Sequence, residues 1–320
     1  EIARFILDDK KYARKIKDLR SKLKTAASRT GYYVHMHTSR DSEKDPGRRI
    51  YTSSEGKRNS LSQVFFSNIK RAQEALRCLE EFSKTLDPKY GKAFKDLRFV
   101  CYTLEKELAP RINKIDLLDF DLYVVSDPMV DHIKTARGVV RGTGRIFQLR
   151  DKNISKNEYL KLAIKIRKIT QKAGVTFIVN DYPDIAKKIG ADGVHLGQED
   201  MRRMPVKKAR KILGDDKLIG ISTHSLSQAL KAARSGCDYI SVGPIFKTPS
   251  KPRGKPVGVK LLKKVLDKTS IAVVAIGGIN KNNIQQITDL GISRAAVIRE
   301  VLKAKSMSKK VVELRKKLAL

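Results

Sequence analysis

The residues with the clearest chemical potential sit in a few short segments of the second half of the chain. Arg150, Lys152 and Lys251 are cations that can pair with phosphate oxygens. Ser222, Thr248 and Ser250 carry hydroxyls, and the Gly277-Gly278 pair offers backbone amides, all donors of the phosphate-binding kind. Two carboxylates, Asp181 and Asp200, follow neighbouring predicted strands. They could share one hard divalent cation, most simply Mg2+, which takes one or two carboxylates together with substrate phosphates. Cations, amides and such a metal suit a pyrophosphate leaving group and a second phosphate. No Ser-His-Asp set and no activating environment for a thiol accompanies them, so a covalent nucleophile is not expected.

Each of these residues also has a plainer reading. Arg150 and Lys152 could be a solvated strand end, and Asp181 and Asp200 could be N-caps of the helices that follow them. His195 lies inside a strand and reads first as a packed residue, while His224 could simply help to start a helix. The glycine pair could be only a turn. Their clustering after successive strands weighs more than any one of them.

The elements that must position these groups are short β-rich runs alternating with amphipathic helices. The predicted strands are 122–126, 145–149, 176–180, 193–196, 218–221, 239–242, 272–276 and 295–298. Helices are predicted between them, for example over 157–173, 227–235 and 282–290. Eight βα units in about 200 residues point to a (β/α)8 TIM barrel over residues 117–320, whose active site lies at the C-terminal ends of the strands. No GxGxxG follows the first strand, which disfavours a dinucleotide fold.

Residues 1–116 have a different texture and are expected to form an all-α helical domain. Phe65, Ile69, Ala72, Leu76, Leu79 and Phe82 recur at helical spacing over 64–86, and Phe94, Leu97, Cys101, Leu104 and Leu108 over 89–108. Asp87-Pro88 and Ala109-Pro110 are expected to end these two helices. A repeat is visible. Leu7-Asp8-Asp9-Lys10 with Lys17-Asp18-Leu19-Arg20 is echoed by Leu86-Asp87-Pro88-Lys89 with Lys95-Asp96-Leu97-Arg98. The second copy has a long helix ahead of its turn and the first has almost none. The expectation is therefore a domain truncated at its start, with Phe65, Ile69 and Leu76 left partly uncovered. The alternative is a chance likeness of two amphipathic helices. A long polar loop, 35–60, separates the copies and is either functional or mobile.

Composition narrows the function classes. The chain has 320 residues, 41% of them hydrophobic, so a sizeable core is available and general disorder is excluded. No run of 18 apolar residues offers a membrane span, and no signal-peptide pattern opens the chain. Three widely spaced cysteines, Cys78, Cys101 and Cys237, fit a reducing, cytoplasmic setting. The formal charge is +34, with 68 basic and 34 acidic residues. The excess is spread over both halves, +11 in 1–116 and +23 in 117–320, with no basic tail and no tryptophan. That favours a lysine-rich surface attracting small anionic substrates over specific nucleic-acid binding.

The segments QLRDK (148–152), NDYPDIAKKIGADGVHLGQED (180–200), GIST (220–223), DYISVGPIFKTPSKP (238–252) and AIGGIN (275–280) resemble thiamine-phosphate synthase. They occur in that family's order and cover essentially all of 120–300. The stretch 67–81 is similar to the helical extension that accompanies this synthase in some bacteria. The resemblance implies that a hydroxymethylpyrimidine diphosphate and a thiazole phosphate give thiamine phosphate and pyrophosphate, by a dissociative step assisted by Mg2+. It implies that Asp181 and Asp200 bind Mg2+. Gln148, Arg150, Lys152, Asn180, Ser222 and Lys251 would contact the pyrimidine diphosphate. Thr248, Ser250 and Gly278, with Gly277, Ile298 and Arg299 beside them, would contact the thiazole phosphate. One departure stands out, because Arg299 replaces the serine usual after the last strand. Arginine there can pair with phosphate, obstruct the pocket or turn outward. The competing functions are a thiazole tautomerase on the same barrel, which has no need of Asp181 with Asp200 and Lys251, and a nucleic-acid-binding or regulatory protein acting through the helical domain. The expected partners are small molecules. A homo-oligomer stays open.

Overall fold

A computed structural model describes residues 2–31, 38, 41, 43–44, 57–249 and 255–319. The chain divides into two compact units, Glu1–Asp116 and Leu117–Leu320. Among the described residues no helix is long and apolar enough to cross a membrane.

The first unit is helical. After a π-helical turn at Ile2–Ile6 come α1 (Lys10–Arg29), α2 (Leu61–Ser83) and α3 (Pro88–Leu117). Both Leu-Asp-x-Lys turns of the repeat start a helix. Asp9 caps α1 by accepting from the Tyr12 amide, and Pro88 opens α3 at the position where its missing N–H costs nothing. The expected stop at Ala109-Pro110 is corrected, since α3 runs through Pro110 to Leu117. Proline removes one rung and costs about 3 kcal/mol. Leu104, Leu108 and Ile112 lie buried on both sides of it in one cluster with Tyr12 and Phe65, and their burial offsets that loss at roughly 1.5–3 kcal/mol each.

The apolar face of α2 is the expected one from Phe65 to Leu79 and departs from it only at the end of the helix. Phe82 is 75% exposed while Glu80 is 2% exposed. Buried Glu80 accepts from Arg98 Nε and Nη2 of α3 at 2.9 and 2.7 Å, and Gln73 donates to Glu105 at 2.6 Å. Paired polar groups thus take positions that a purely hydrophobic pattern assigns to Phe82 and its neighbours. Phe65 and Leu76 are buried and Ile69 is half-buried, so the expected uncovering of these residues is not found. Most of the 35–60 loop lies outside the described residues.

The second unit is a closed barrel of eight parallel strands in the order β1 to β8. They are β1 (Leu122–Val125), β2 (Ile146–Leu149), β3 (Thr176–Asn180), β4 (Gly193–Leu196), β5 (Leu218–Thr223), β6 (Tyr239–Val242), β7 (Ala272–Ile276) and β8 (Ala295–Val297). The connecting helices are α4 (His132–Arg141), α5 (Lys156–Lys172), α6 (Pro183–Lys188), α7 (Asp200–Arg203), α8 (Val206–Leu213), α9 (Leu226–Ala233), α10 (Gly258–Leu266), α11 (Gln285–Thr288), α12 (Arg299–Leu302) and α13 (Met307–Leu318). The helix expected over 282–290 is cut to α11. Asn280 and Asn283 hold the preceding residues in a turn, with the Asn280 amide bonded to Asn283 Oδ1 at 2.8 Å and the Asn282 amide to Asn280 Oδ1 at 2.9 Å.

Strand alternation separates two cores. Outward residues such as Val124, Phe147, Phe177, Val179 and Val194 pack under the helices. Tyr123, Ile146, Ile178, Leu218, Tyr239, Val274 and Ala296 form the second cluster and plug the barrel interior. Gly220 makes room for this plug, because a Cβ there would lie 2.1 Å from the Tyr239 ring. Two residues further along several strands, the same inward face turns polar: Gln148 above Ile146, Asn180 above Ile178, Ser241 above Tyr239. The apolar plug is thereby the floor of a polar mouth.

Candidate active site

That mouth is a cavity of about 540 Å3 at the C-terminal ends of the strands. It is lined by Gln148, Arg150, Lys152, Asn180, Asp181, Asp200, Ser222, Thr248, Gly277, Gly278, Ile298 and Arg299, twelve of the fourteen residues singled out from the sequence. The other two, Ser250 and Lys251, lie outside the described residues.

On the β2–β3 side, Gln148 Nε2 donates to Asn180 Oδ1 at 2.9 Å, which leaves Gln148 Oε1 as an acceptor and Asn180 Nδ2 as a donor for a ligand. The Tyr159 hydroxyl, from α5, fixes both strand ends. It donates to the Leu149 carbonyl at 2.6 Å and accepts from the Asn180 amide at 3.0 Å. Next in the chain, Asp181 has φ +64, a left-handed backbone that aspartate tolerates better than most residues. Its amide donates to the His195 carbonyl at 3.0 Å.

Neither carboxylate is a helix cap. The N-cap of α6 is Tyr182, without a side-chain bond, and Asp200 is the first residue of α7 and turns back to accept the Gly197 amide at 3.0 Å. The two carboxyls lie within hydrogen-bonding reach of each other. Burial, and then the neighbouring Asp200, push the Asp181 carboxyl up to about 6, against the pull of Lys152 Nζ 3.4 Å away. Two ionised carboxylates this close repel, and a divalent cation between them would remove the conflict. Among the described residues no group of three or more His, Cys, Asp or Glu side chains could hold a metal ion, so this pair would need waters or substrate oxygens to complete a shell.

The floor under β4 to β6 is a hydrogen-bonded chain. Tyr123 Oη lies 2.9 Å from Tyr239 Oη, which lies 3.1 Å from His195 Nδ1, and His195 Nε2 lies 2.9 Å from Ser222 Oγ. His195 is therefore both a packed barrel residue and the support of Ser222. His224 also lines the cavity and reaches the Gly243 carbonyl, while its neighbour Ser225 caps α9. Tyr239 and Ser241 were not among the sequence candidates. The signal for them is the inward parity that they share with the candidates on neighbouring strands.

At the far side, Gly277 and Gly278 have φ of +101 and +66. A Cβ at Gly278 would lie 2.5 Å from the Lys247 carbonyl, so only glycine lets the β6–α10 loop carrying Thr248 come this close. Asn283 Nδ2 donates to the Gly278 carbonyl at 2.9 Å and holds the turn. Arg299 does not turn away from this end. It lines the cavity, and its Nε is buried with no hydrogen-bond partner among the described residues. A buried guanidinium nitrogen without an acceptor is costly, and an anion in the cavity would supply one.

Comparison with known proteins agrees with this geometry. The family model described as thiamine monophosphate synthase matches residues 122–301, and a model of the ThiD2 family matches residues 1–107. A thiamine-phosphate synthase from a Nostoc species is 37% identical over 269 residues, covering 84% of this chain and 76% of that protein. One from Nostoc punctiforme is 36% identical over 304 residues, covering 95% and 84%. The solved thiamine phosphate pyrophosphorylase from Pyrococcus furiosus is 34% identical with a TM-score of 0.58, covering 63% of this chain and 96% of that one. With a family match over more than half its length and relatives this similar over most of theirs, the chain belongs to the thiamine monophosphate synthase family.

Proposed function

We propose that this transferase joins a hydroxymethylpyrimidine diphosphate to a thiazole phosphate, releasing pyrophosphate and thiamine phosphate, with Mg2+ held by Asp181 and Asp200. The observation that carries the reading is the crowded carboxylate pair, with Asp181 pushed up to about 6 beside Lys152, at one end of a cavity whose other end holds Arg299, its buried Nε without a hydrogen-bond partner among the described residues. One end is suited to a metal-bound diphosphate and the other to a phosphate monoester.

In this reading Arg150, Lys152 and the Ser222 hydroxyl, steadied by His195, bind the diphosphate oxygens. Lys251 belongs to the same set by the family resemblance. Gln148 Oε1 and Asn180 Nδ2 match the donor and acceptor edge of an aminopyrimidine. Thr248, Ser250, the Gly277-Gly278 amides, Ile298 and Arg299 hold the thiazole phosphate. A bound Mg2+ supplies positive charge to the oxygens that become pyrophosphate. The C–O bond to the diphosphate breaks with both electrons leaving on oxygen. The lone pair of the thiazole nitrogen then forms the new C–N bond. No proton moves at the reacting atoms, which suits a site lined by cations and hydrogen-bond donors. Its work is positioning and charge stabilisation.

The test is formation of thiamine phosphate and pyrophosphate from the two substrates, with and without Mg2+. Product only when Mg2+ is present supports the assignment. Isomerisation of a thiazole phosphate with no pyrophosphate released would replace it with the tautomerase reading.

A further inference from the structure

Outside the residues already given a role, the described residues of the barrel include a buried histidine–carboxylate pair next to a cavity-lining segment. His132, the first residue of α4, points its Nε2 at Asp151 Oδ2, 2.9 Å away. Both side chains are more than nine-tenths buried. Asp151 stands between Arg150 and Lys152, both of which line the cavity. Its other oxygen, Oδ1, accepts the Asn153 amide at 2.8 Å. One carboxylate thus closes the turn after β2 and ties it to α4.

The chemistry of the pair is well defined. A carboxylate only accepts, so the ring donates through Nε2. Nδ1 is buried with no hydrogen-bond partner among the described residues, so the contact with Asp151 is the ring's only polar anchor there. Burying a histidine with half of its polar capacity unused is unfavourable, and packing alone would be served better by leucine. The same segment is held at two more points. The Arg150 amide donates to the buried Ser126 hydroxyl at 3.0 Å, and Tyr159 holds the Leu149 carbonyl. The backbone is therefore pinned at 149, 150 and 151, where two cations must be aimed from one turn. Lys152 is half exposed and its stem is flexible, so its direction depends on the backbone that carries it.

We infer that His132 is a positioning residue: through Asp151 it fixes the turn from which Arg150 and Lys152 reach the diphosphate. The inference rests on the proposed role of those two cations and extends it to a residue that touches no substrate.

The test uses the full chain and inorganic pyrophosphate with Mg2+ as the probe, titrated by calorimetry, alongside steady-state kinetics and thermal melting. His132→Leu is expected to weaken pyrophosphate binding and raise KM for the pyrimidine diphosphate about tenfold or more, while KM for the thiazole phosphate stays within about twofold. His132→Gln keeps a donor near Nε2 and is expected to restore affinity to within about threefold. If His132→Leu does not fold, Asp151→Asn takes its place. It keeps the acceptor for Asn153, disturbs the bond to His132, and is expected to weaken pyrophosphate in the same direction. Lowered melting temperature with unchanged pyrophosphate affinity, in either variant, overturns the inference. Arg150→Ala and Lys152→Ala are the controls. If neither weakens pyrophosphate binding, the diphosphate assignment itself fails. If both do and the His132 and Asp151 variants do not, only the positioning role fails.

Discussion

Replacing Asp181 by asparagine separates a metal ligand from a structural carboxylate, because the two readings differ in the sign of the stability change. The folded carboxyl takes up its proton near 6 and an unperturbed one near 3.8. That difference is worth up to about 3 kcal/mol at neutral pH. With the side chain 15% exposed, solvent screening reduces it to about 1–2 kcal/mol. The direction follows from linkage. Between these two values the folded state binds more protons than the unfolded state, so the stability contributed by Asp181 is fullest below about pH 4 and is lost as the pH rises through about 6. The asparagine side chain carries no charge and tolerates the left-handed backbone at φ +64 as well as aspartate does. Without Mg2+ at pH 7, Asp181→Asn is therefore expected to melt about 3–6 °C higher than the parent, with the difference shrinking toward zero near pH 4. Added Mg2+ is expected to stabilise the parent and not the variant. Turnover, followed by pyrophosphate release, is expected to fall at least about a hundredfold. A variant melting at or below the parent temperature at pH 7, or one retaining most of its turnover, would refute the metal assignment and the repulsion argument together.

Three further outcomes follow from the geometry. Arg299→Ser removes the cavity-lining guanidinium and should raise KM for the thiazole phosphate about tenfold, with pyrophosphate affinity unchanged, as read by steady-state kinetics and calorimetry. Gly278→Ala places a Cβ 2.5 Å from the Lys247 carbonyl at a left-handed φ, so it should cost about 1–3 kcal/mol in a melting experiment and weaken the thiazole phosphate with it. A fragment of residues 117–320 contains all eight strands and should fold and retain catalysis, whereas a folded but inactive fragment would give the helical unit a part in turnover.

The barrel was legible because buried parallel strands are short apolar runs of β-branched and aromatic residues, and 176–180, 193–196, 239–242 and 272–276 have the expected bounds. The segment over 282–290 misled because its asparagines offer the backbone side-chain partners, and no hydrophobic pattern records that competition. In α2 the pattern selected Phe82 over Glu80, since the partner that makes Glu80 a core residue, Arg98, comes from another helix. The cavity residues were visible as polar types following strands. His132 and Asp151 were not, because their meaning lies in a contact between segments 19 positions apart. Arg299 could be placed at the rim from the sequence, but only the structure gives its buried, unpartnered Nε.

Closure of the barrel has a consequence in time. The pairing that seals it joins Leu122 to Ala295 and Val124 to Val297, partners roughly 170 residues apart. A chain emerging from the ribosome at about 5–20 residues per second therefore waits on the order of ten seconds or more after β1 appears before its partner is made. Until then β1 and the growing end of the sheet each present an unpaired edge, and Tyr123 has no closed interior around its ring. The cavity comes into existence only with this last strand. A nascent chain stalled before β8 would carry Asp181, Asp200 and Ser222 already synthesised, yet it should be exposed to edge-to-edge association and unable to turn over.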